Sequence, residues 1–171
     1  PLTGCHNRFF LRDLEAAAGG DERGWAAIVV DIDGFKAYND LHGHDTGDRV
    51  LVRVARFLLA HVRADDAVIR TGGDEFVLLL ADRDARQTAA VGKRLTVDGR
   101  RGPPVPISVG WAVQRPDERL EETIRRADRD LMARRARTRS GQAVKTTVSA
   151  MSRTSATGST IGGATPSRSR T

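Results

Sequence analysis

At 171 residues the chain is long enough for one domain with a real core. Its net charge of +6 is lopsided: from Thr138 onward there are five basic residues and no acid, while the remainder balances 23 basic against 22 acidic residues, which excludes a basic nucleic-acid face on the folded part. No run of about 18 apolar residues is present to span a membrane, and Cys5, the sole cysteine, excludes an internal disulfide and fits a reducing, cytoplasmic setting.

The chain opens on Pro1 and is expected to be a piece of a longer protein, whose missing part would carry any sensor or membrane anchor. Residues 7–18 place Phe9, Phe10, Leu14 and Ala17 at helical spacing behind Asn7, a cap residue, and Gly19-Gly20 should stop that helix. Trp25 to Val30 is a continuous apolar run, which predicts a central strand covered on both faces, leading straight into Asp31-Ile32-Asp33. A short helix or turn over 34–42 follows. Val50, Leu51, Val54, Phe57, Leu58 and Val62 then keep a 3.6 period on a helix from about 46 to 63. Ala67-Val68-Ile69 and Val77-Leu78-Leu79-Leu80 flank Gly72-Gly73-Asp74-Glu75, which reads as a hairpin with a polar tip whose glycines permit positive φ and close approach of a ligand. A weaker helix over 83–97, a Gly102-Pro103-Pro104 loop, a strand from Val105 to Val113 and a last amphipathic helix after Asp117 complete the order. The expected fold is a mixed α/β (α+β) architecture, a central sheet of about five strands flanked by helices. The expected domain is 1–140. Residues 141–171, rich in Ser, Thr and Gly, are expected to form a disordered basic tail because they have too little apolar surface to offset ordering entropy.

Carboxylates at a strand end and a hairpin tip serve no core. If the two strands are neighbours, Asp31 and Asp74 converge, and paired hard oxygens favour Mg²⁺ or Mn²⁺ held together with substrate phosphates. Lys36 lies five residues past Asp31, within reach of phosphate oxygens as a point charge. Asn39 and Asp48 add an amide and a carboxylate, a pair suited to the edge of guanine. The pattern suggests a metal-nucleotide enzyme. Blander readings stand beside it: Asp48 as a first-turn acid, Arg63 as a helix C-terminal cation and His44 as a loop cap.

Leu2-Thr3-Gly4, Asn7-Arg8, Asp31-Ile32-Asp33-Gly34-Phe35-Lys36, Asn39-Asp40, Gly43-His44, Gly47-Asp48, Gly72-Gly73-Asp74-Glu75-Phe76, Ser108-Val109-Gly110 and Ala127-Asp128 fall in one family order. Over about residues 2–140 the chain closely resembles a GGDEF domain, the catalytic domain of diguanylate cyclases, with a sheet-and-helix fold akin to nucleotidyl cyclases. The resemblance implies that Asp31, the Ile32 carbonyl and Asp74 hold divalent ions, Mg²⁺ or Mn²⁺, two per half-site. Glu75 would assist at the metal or activate the attacking hydroxyl, and Asp74 would accept the proton. Lys36 would steady phosphate charge, Asn39 and Asp48 would read guanine with Phe35 and His44 close by, and Gly72 and Gly73 would pass under the triphosphate.

The implied reaction joins two GTP into cyclic di-GMP with loss of two pyrophosphates, across a homodimer in which two domains face each other about a two-fold axis. Arg63 and Asp66, an Arg-x-x-Asp pattern ending five residues before the hairpin motif, resemble the family's inhibitory product site. Near the C-terminal end Leu131-Met132-Ala133-Arg134-Arg135 departs from the family pattern. Arg135 stands where a lysine would meet the terminal phosphates, Met132 replaces a tyrosine, and Arg139 follows as the further basic residue. The alternative is a catalytically silent GGDEF domain that binds GTP or cyclic di-GMP as a receptor.

Overall fold

The structure, a computed structural model, describes residues 2–18, 24–96 and 104–155, with 15–18 and 141–155 described in backbone alone. The expected Gly19-Gly20 helix stop and the Gly102-Pro103 part of the loop lie outside the described residues.

The apolar run beginning at Trp25 forms strand β2 (Trp25–Ile32), and its first six residues are buried. It takes the centre of a mixed sheet together with β1 (His6–Asn7), β3 (Ala67–Gly72), β4 (Glu75–Ala81) and β5 (Ile107–Val113), in the order β1-β3-β4-β2-β5. β2 pairs antiparallel with β4 on one side and β5 on the other. β3 runs antiparallel to β4, and β1 adds to β3 in parallel. β1 has no counterpart in the sequence reading, because two residues are too few to carry an alternating pattern.

Among the described residues five helices complete the order: α1 (Phe9–Ala18), α2 (Phe35–His42), α3 (His44–Leu59), α4 (Ala85–Thr96) and α5 (Leu120–Ser155). Asn7 caps α1 as its residue type predicts, its Oδ1 accepting the Phe9 N–H at 3.0 Å. Because strand side chains alternate, β2 feeds two cores. Ala26, Ile28, Val30 and Ile32 pack with Val50, Leu51, Val54 and Leu58 of α3 and with Val91 and Leu95 of α4. Trp25, Ala27 and Val29 pack with Leu120, Ala127 and Leu131 of α5, flanked by Phe10, Leu11 and Leu14 of α1. Each fully buried Val, Leu or Ile stabilises the fold by about 1.5–3 kcal/mol.

Two glycines set how closely the layers approach. A Cβ on Gly110 of β5 would lie 2.1 Å from the Leu131 nitrogen and 2.3 Å from the Ala127 carbonyl oxygen, so α5 rides directly on this strand. Asp130 of the same helix accepts the Trp111 N–H at 3.0 Å, which satisfies a donor on the edge strand. At Gly34, φ is 71°, and this left-handed residue turns the chain from β2 into α2.

By contacts the chain divides into Pro1–Arg135 and Ala136–Thr171. The expected boundary at 140 falls inside α5, whose backbone is helical to Ser155; residues 134–145 include four Arg and two Ala, which suit a helix. Residues 156–171 lie outside the described residues. Among the described residues no helix is long and apolar enough to cross a membrane.

Candidate active site

Three strand ends meet where β2 turns into α2. Asp31 lies opposite Glu75 of β4 and opposite Ser108 of β5. One residue on, the Ile32 N–H donates to the Asp74 carbonyl at 3.3 Å, and the Asp33 N–H donates to the Pro106 carbonyl at 3.0 Å. Asp31, Ile32, Asp74 and Glu75, far apart in the chain, therefore share one end of the sheet.

The hairpin tip is the two-residue turn Gly73-Asp74. Arg70 braces it, donating Nε and Nη2 to the Gly73 carbonyl at 3.1 and 2.7 Å. The expected positive φ is absent from Gly72 and Gly73. The ladder shifts register between Arg70 and Gly72, and that irregularity makes the turn without left-handed backbone. Both glycines are exposed, and a Cβ on either would meet nothing, so the space beside the tip is open.

Acid is concentrated here. Glu75 has its carboxyl pushed up from the ordinary value, first by loss of water around it, then by Asp128 of α5, and further by Asp31 and Asp74. Arg135 enters the same end from α5. Its Nε donates to Ser108 Oγ at 2.8 Å, and its Nη2 donates to Asp31 Oδ1 and, at 2.6 Å, to Asp33 Oδ1. Ser108 Oγ also donates to Asp33 Oδ1 at 2.7 Å. Burial opposes the charge on Arg135, but the bonds to Asp31 and Asp33 outweigh it and hold the guanidinium more firmly protonated. Arg135, the residue at the position expected to meet terminal phosphates, is held here by Ser108, Asp31 and Asp33.

Among the described residues no group of three or more His, Cys, Asp and Glu side chains is gathered as a ready metal cage. The donor chemistry nonetheless fits a hard divalent ion. Mg²⁺ needs only one or two protein carboxylates when phosphates and water complete its shell, and Asp31, Asp74 and Glu75 bring carboxylates to this one end.

The residues expected to read guanine lie on α2 and α3. Phe35 is buried at the start of α2, Lys36 is exposed beside it, and Asn39 is half-buried one turn later. Asn39 Oδ1 is buried and finds no hydrogen-bond partner among the described residues. It rests against α3 at Gly47, where a Cβ would come 1.8 Å from that oxygen. Asp48 is exposed next to Gly47, and His44 is exposed at the first position of α3. Arg139 belongs to the second unit, where it is exposed on α5.

Arg63 and Asp66 stand apart, before the start of β3, roughly 20 Å from Gly72 by strand rise. Arg63 is exposed. The Asp66 side chain is only 1% exposed, and both its oxygens are engaged: Oδ1 accepts the Ala81 N–H at 3.1 Å, and Oδ2 accepts the Arg63 N–H at 2.8 Å and the Arg83 guanidinium at 3.0 Å. In this structure Asp66 closes its own loop. Residue type alone did not mark Ser108, Arg70 or Asp128 as site residues. Ser108 opposite Asp31, Arg70 on the Gly73 carbonyl and Asp128 of α5 near Glu75 are tertiary placements, and they exist only once the strands are paired and α5 packs on them.

The family model described as "Diguanylate cyclase, GGDEF domain" matches residues 1–141, and the chain belongs to that family. The response regulator PleD of Caulobacter vibrioides is 34% identical over 144 residues, covering 74% of this chain and 31% of PleD. The bifunctional diguanylate cyclase/cyclic di-GMP phosphodiesterase MucR of Pseudomonas aeruginosa is 46% identical over 98 residues, 55% of this chain and 14% of MucR. The chain thus spans less than a third of the length of these curated relatives. Among solved structures, diguanylate cyclase SiaD of P. aeruginosa, in complex with its activator SiaC, aligns with a TM-score of 0.66 at 34% identity, over 80% of this chain and 57% of SiaD. The GGDEF domain of DgcB from Caulobacter crescentus, solved with c-di-GMP, also aligns at 0.66, with 28% identity over 80% of this chain and 86% of that one.

Proposed function

We propose that this chain is a working diguanylate cyclase domain that condenses two GTP into cyclic di-GMP and two pyrophosphates. The observation that carries the reading is the meeting of Asp31, Ile32, Asp74 and Glu75 at one sheet end, with Lys36 and Asn39 on the helix that follows β2 directly. In this reading Asp31, the Ile32 carbonyl and Asp74 hold Mg²⁺ or Mn²⁺, with Glu75 assisting. When bound, such an ion neutralises phosphate charge and acidifies a neighbouring hydroxyl.

The chain's own residues do the positioning. Asn39 accepts from, and Asp48 pairs with, the N–H edge of guanine, and His44 borders the same base. Lys36 screens the phosphates, and the open face of Gly72 and Gly73 lets the triphosphate lie against the hairpin. Asp74 accepts the proton of the attacking 3′-hydroxyl, or Glu75 does so. Each domain carries half of the reacting pair, so the α-phosphate of one GTP meets the 3′-hydroxyl of the other only when two domains face each other about a two-fold axis. Product feedback would run through exposed Arg63, with Asp66 released from Arg83 on binding.

Incubation of a dimerised protein with GTP and Mg²⁺ should yield cyclic di-GMP. A folded sample that binds GTP yet makes none at high protein concentration would overturn the reading. A second reading, a receptor without turnover, is favoured by the hold of Arg135 on Asp31; calorimetry showing cyclic di-GMP binding in a sample without turnover would select it.

Gly47→Ala tests the guanine contact. Its Cβ would occupy the place of Asn39 Oδ1. A side chain yields more readily than backbone, so the fold should hold while GTP affinity falls by about five- to tenfold, the loss of one or two hydrogen bonds. Unchanged affinity by calorimetry would remove Asn39 from recognition.

A further inference from the structure

The acidic end of the sheet carries its own cation. Arg135 meets three groups at once: Ser108 Oγ through Nε, and Asp31 and Asp33 through Nη2. Ser108 closes the cluster by donating to Asp33. The Arg135 side chain is 21% exposed and that of Asp31 27%, so the pair is mostly withdrawn from water, where charge-assisted bonds are stronger than on an open surface. One oxygen of Asp31 cannot keep this contact and serve a divalent ion equally well, since two cations on it would repel.

We propose that Arg135 is an internal counter-cation that occupies Asp31 in the nucleotide-free protein and must swing away before that carboxylate accepts a metal ion. This rests on the reading of Asp31 as a metal ligand. A triphosphate offers the departing guanidinium a new anionic partner. Metal and nucleotide therefore bind with positive coupling: each alone has to break the Arg135 cluster, and together they replace it. The apparent metal affinity of the nucleotide-free protein is lowered by the fraction of molecules in which Arg135 is engaged. Ser108 acts through Arg135 as a positioning residue. It fixes Nε, so that Nη2 falls between the two carboxylates.

The test is Mn²⁺ binding to the full chain without nucleotide, followed by loss of the free-ion electron paramagnetic resonance signal. Arg135→Ala should tighten Mn²⁺ binding by about tenfold or more, the worth of releasing charge-assisted hydrogen bonds from Asp31, and Ser108→Ala should tighten it by a smaller factor. Adding Asp31→Asn to Arg135→Ala should abolish the gain. Arg135→Lys, which keeps the charge but cannot span all three partners, should fall between wild type and Arg135→Ala and guards against a misfolded alanine variant. If neither Arg135→Ala nor Arg135→Lys changes Mn²⁺ affinity while Asp31→Asn alone destroys it, the counter-cation is refuted and the metal ligand stands. If Asp31→Asn leaves Mn²⁺ binding untouched in wild type and in the Arg135 variants, both the counter-cation and the metal role of Asp31 fall.

Discussion

Asp74→Ala should reduce cyclic di-GMP formation by at least about a thousandfold, the scale of several kcal/mol of lost charge stabilisation and proton acceptance. The fold should survive the change. Asp74 supports the sheet through its main chain, whose carbonyl accepts the Ile32 N–H, and alanine keeps that carbonyl. The side chain lies on a two-residue turn beside open space, so its removal leaves no core cavity. Far-UV circular dichroism and the melting temperature should match wild type, and GTP should still bind through the Asn39 side of the site. Turnover within about tenfold of wild type would mean that the hairpin carboxylate is not part of the reacting machinery, and the function proposed for this chain would lose its central residue.

Gly110→Ala should produce the largest loss of stability, about 3 kcal/mol, at the upper end of what overpacking costs in a well-filled core. The added Cβ would press on the Leu131 nitrogen, the Ala127 carbonyl and, at 2.6 Å, the Leu131 Cα. These are helix backbone atoms, which cannot escape by changing rotamer, so α5 itself has to lift off β5. Lifting it opens the core around Leu120, Ala127 and Leu131 and draws Arg135 and Asp128 away from the strand ends. Gly92 offers the contrast. A Cβ there would come 2.3 Å from the Trp111 ring, which is a side chain and can move. Urea unfolding of Gly110→Ala should show a lowered midpoint with an unchanged slope. A midpoint shift worth less than about 1 kcal/mol would mean that α5 does not ride on β5 as closely as described.

Much of this protein was legible along the chain. The buried run at Trp25, the 3.6 period of α3 and the Gly-Gly-Asp-Glu hairpin are local patterns, and each became the expected element with its ends shifted by a few residues. α3 runs from His44 to Leu59 instead of 46 to 63, because apolar spacing marks a helix's buried face and not its caps. β5 starts at Ile107, just after Pro106, which has no N–H to give to a ladder. The residues quoted in family order were enough to place the chain among GGDEF domains, since a motif order is written in one dimension.

What residue order left open is who stands beside whom. That Asp31 faces both Glu75 and Ser108 follows from β2 lying between β4 and β5, a pairing across as many as 77 positions that no local period encodes. The spacing that matches a product-binding pattern at Asp66 does not tell that packing gives its carboxylate to Arg83 and two backbone N–H groups. That α5 delivers Arg135 onto Asp31 and Asp33 is likewise a matter of packing across the fold, which its place in the motif does not state. Residue types and their spacing determined which chemistry this chain carries. Only the tertiary structure decided which charges neutralise one another, because Coulomb and hydrogen-bond energies depend on distances in space and not on positions along the backbone.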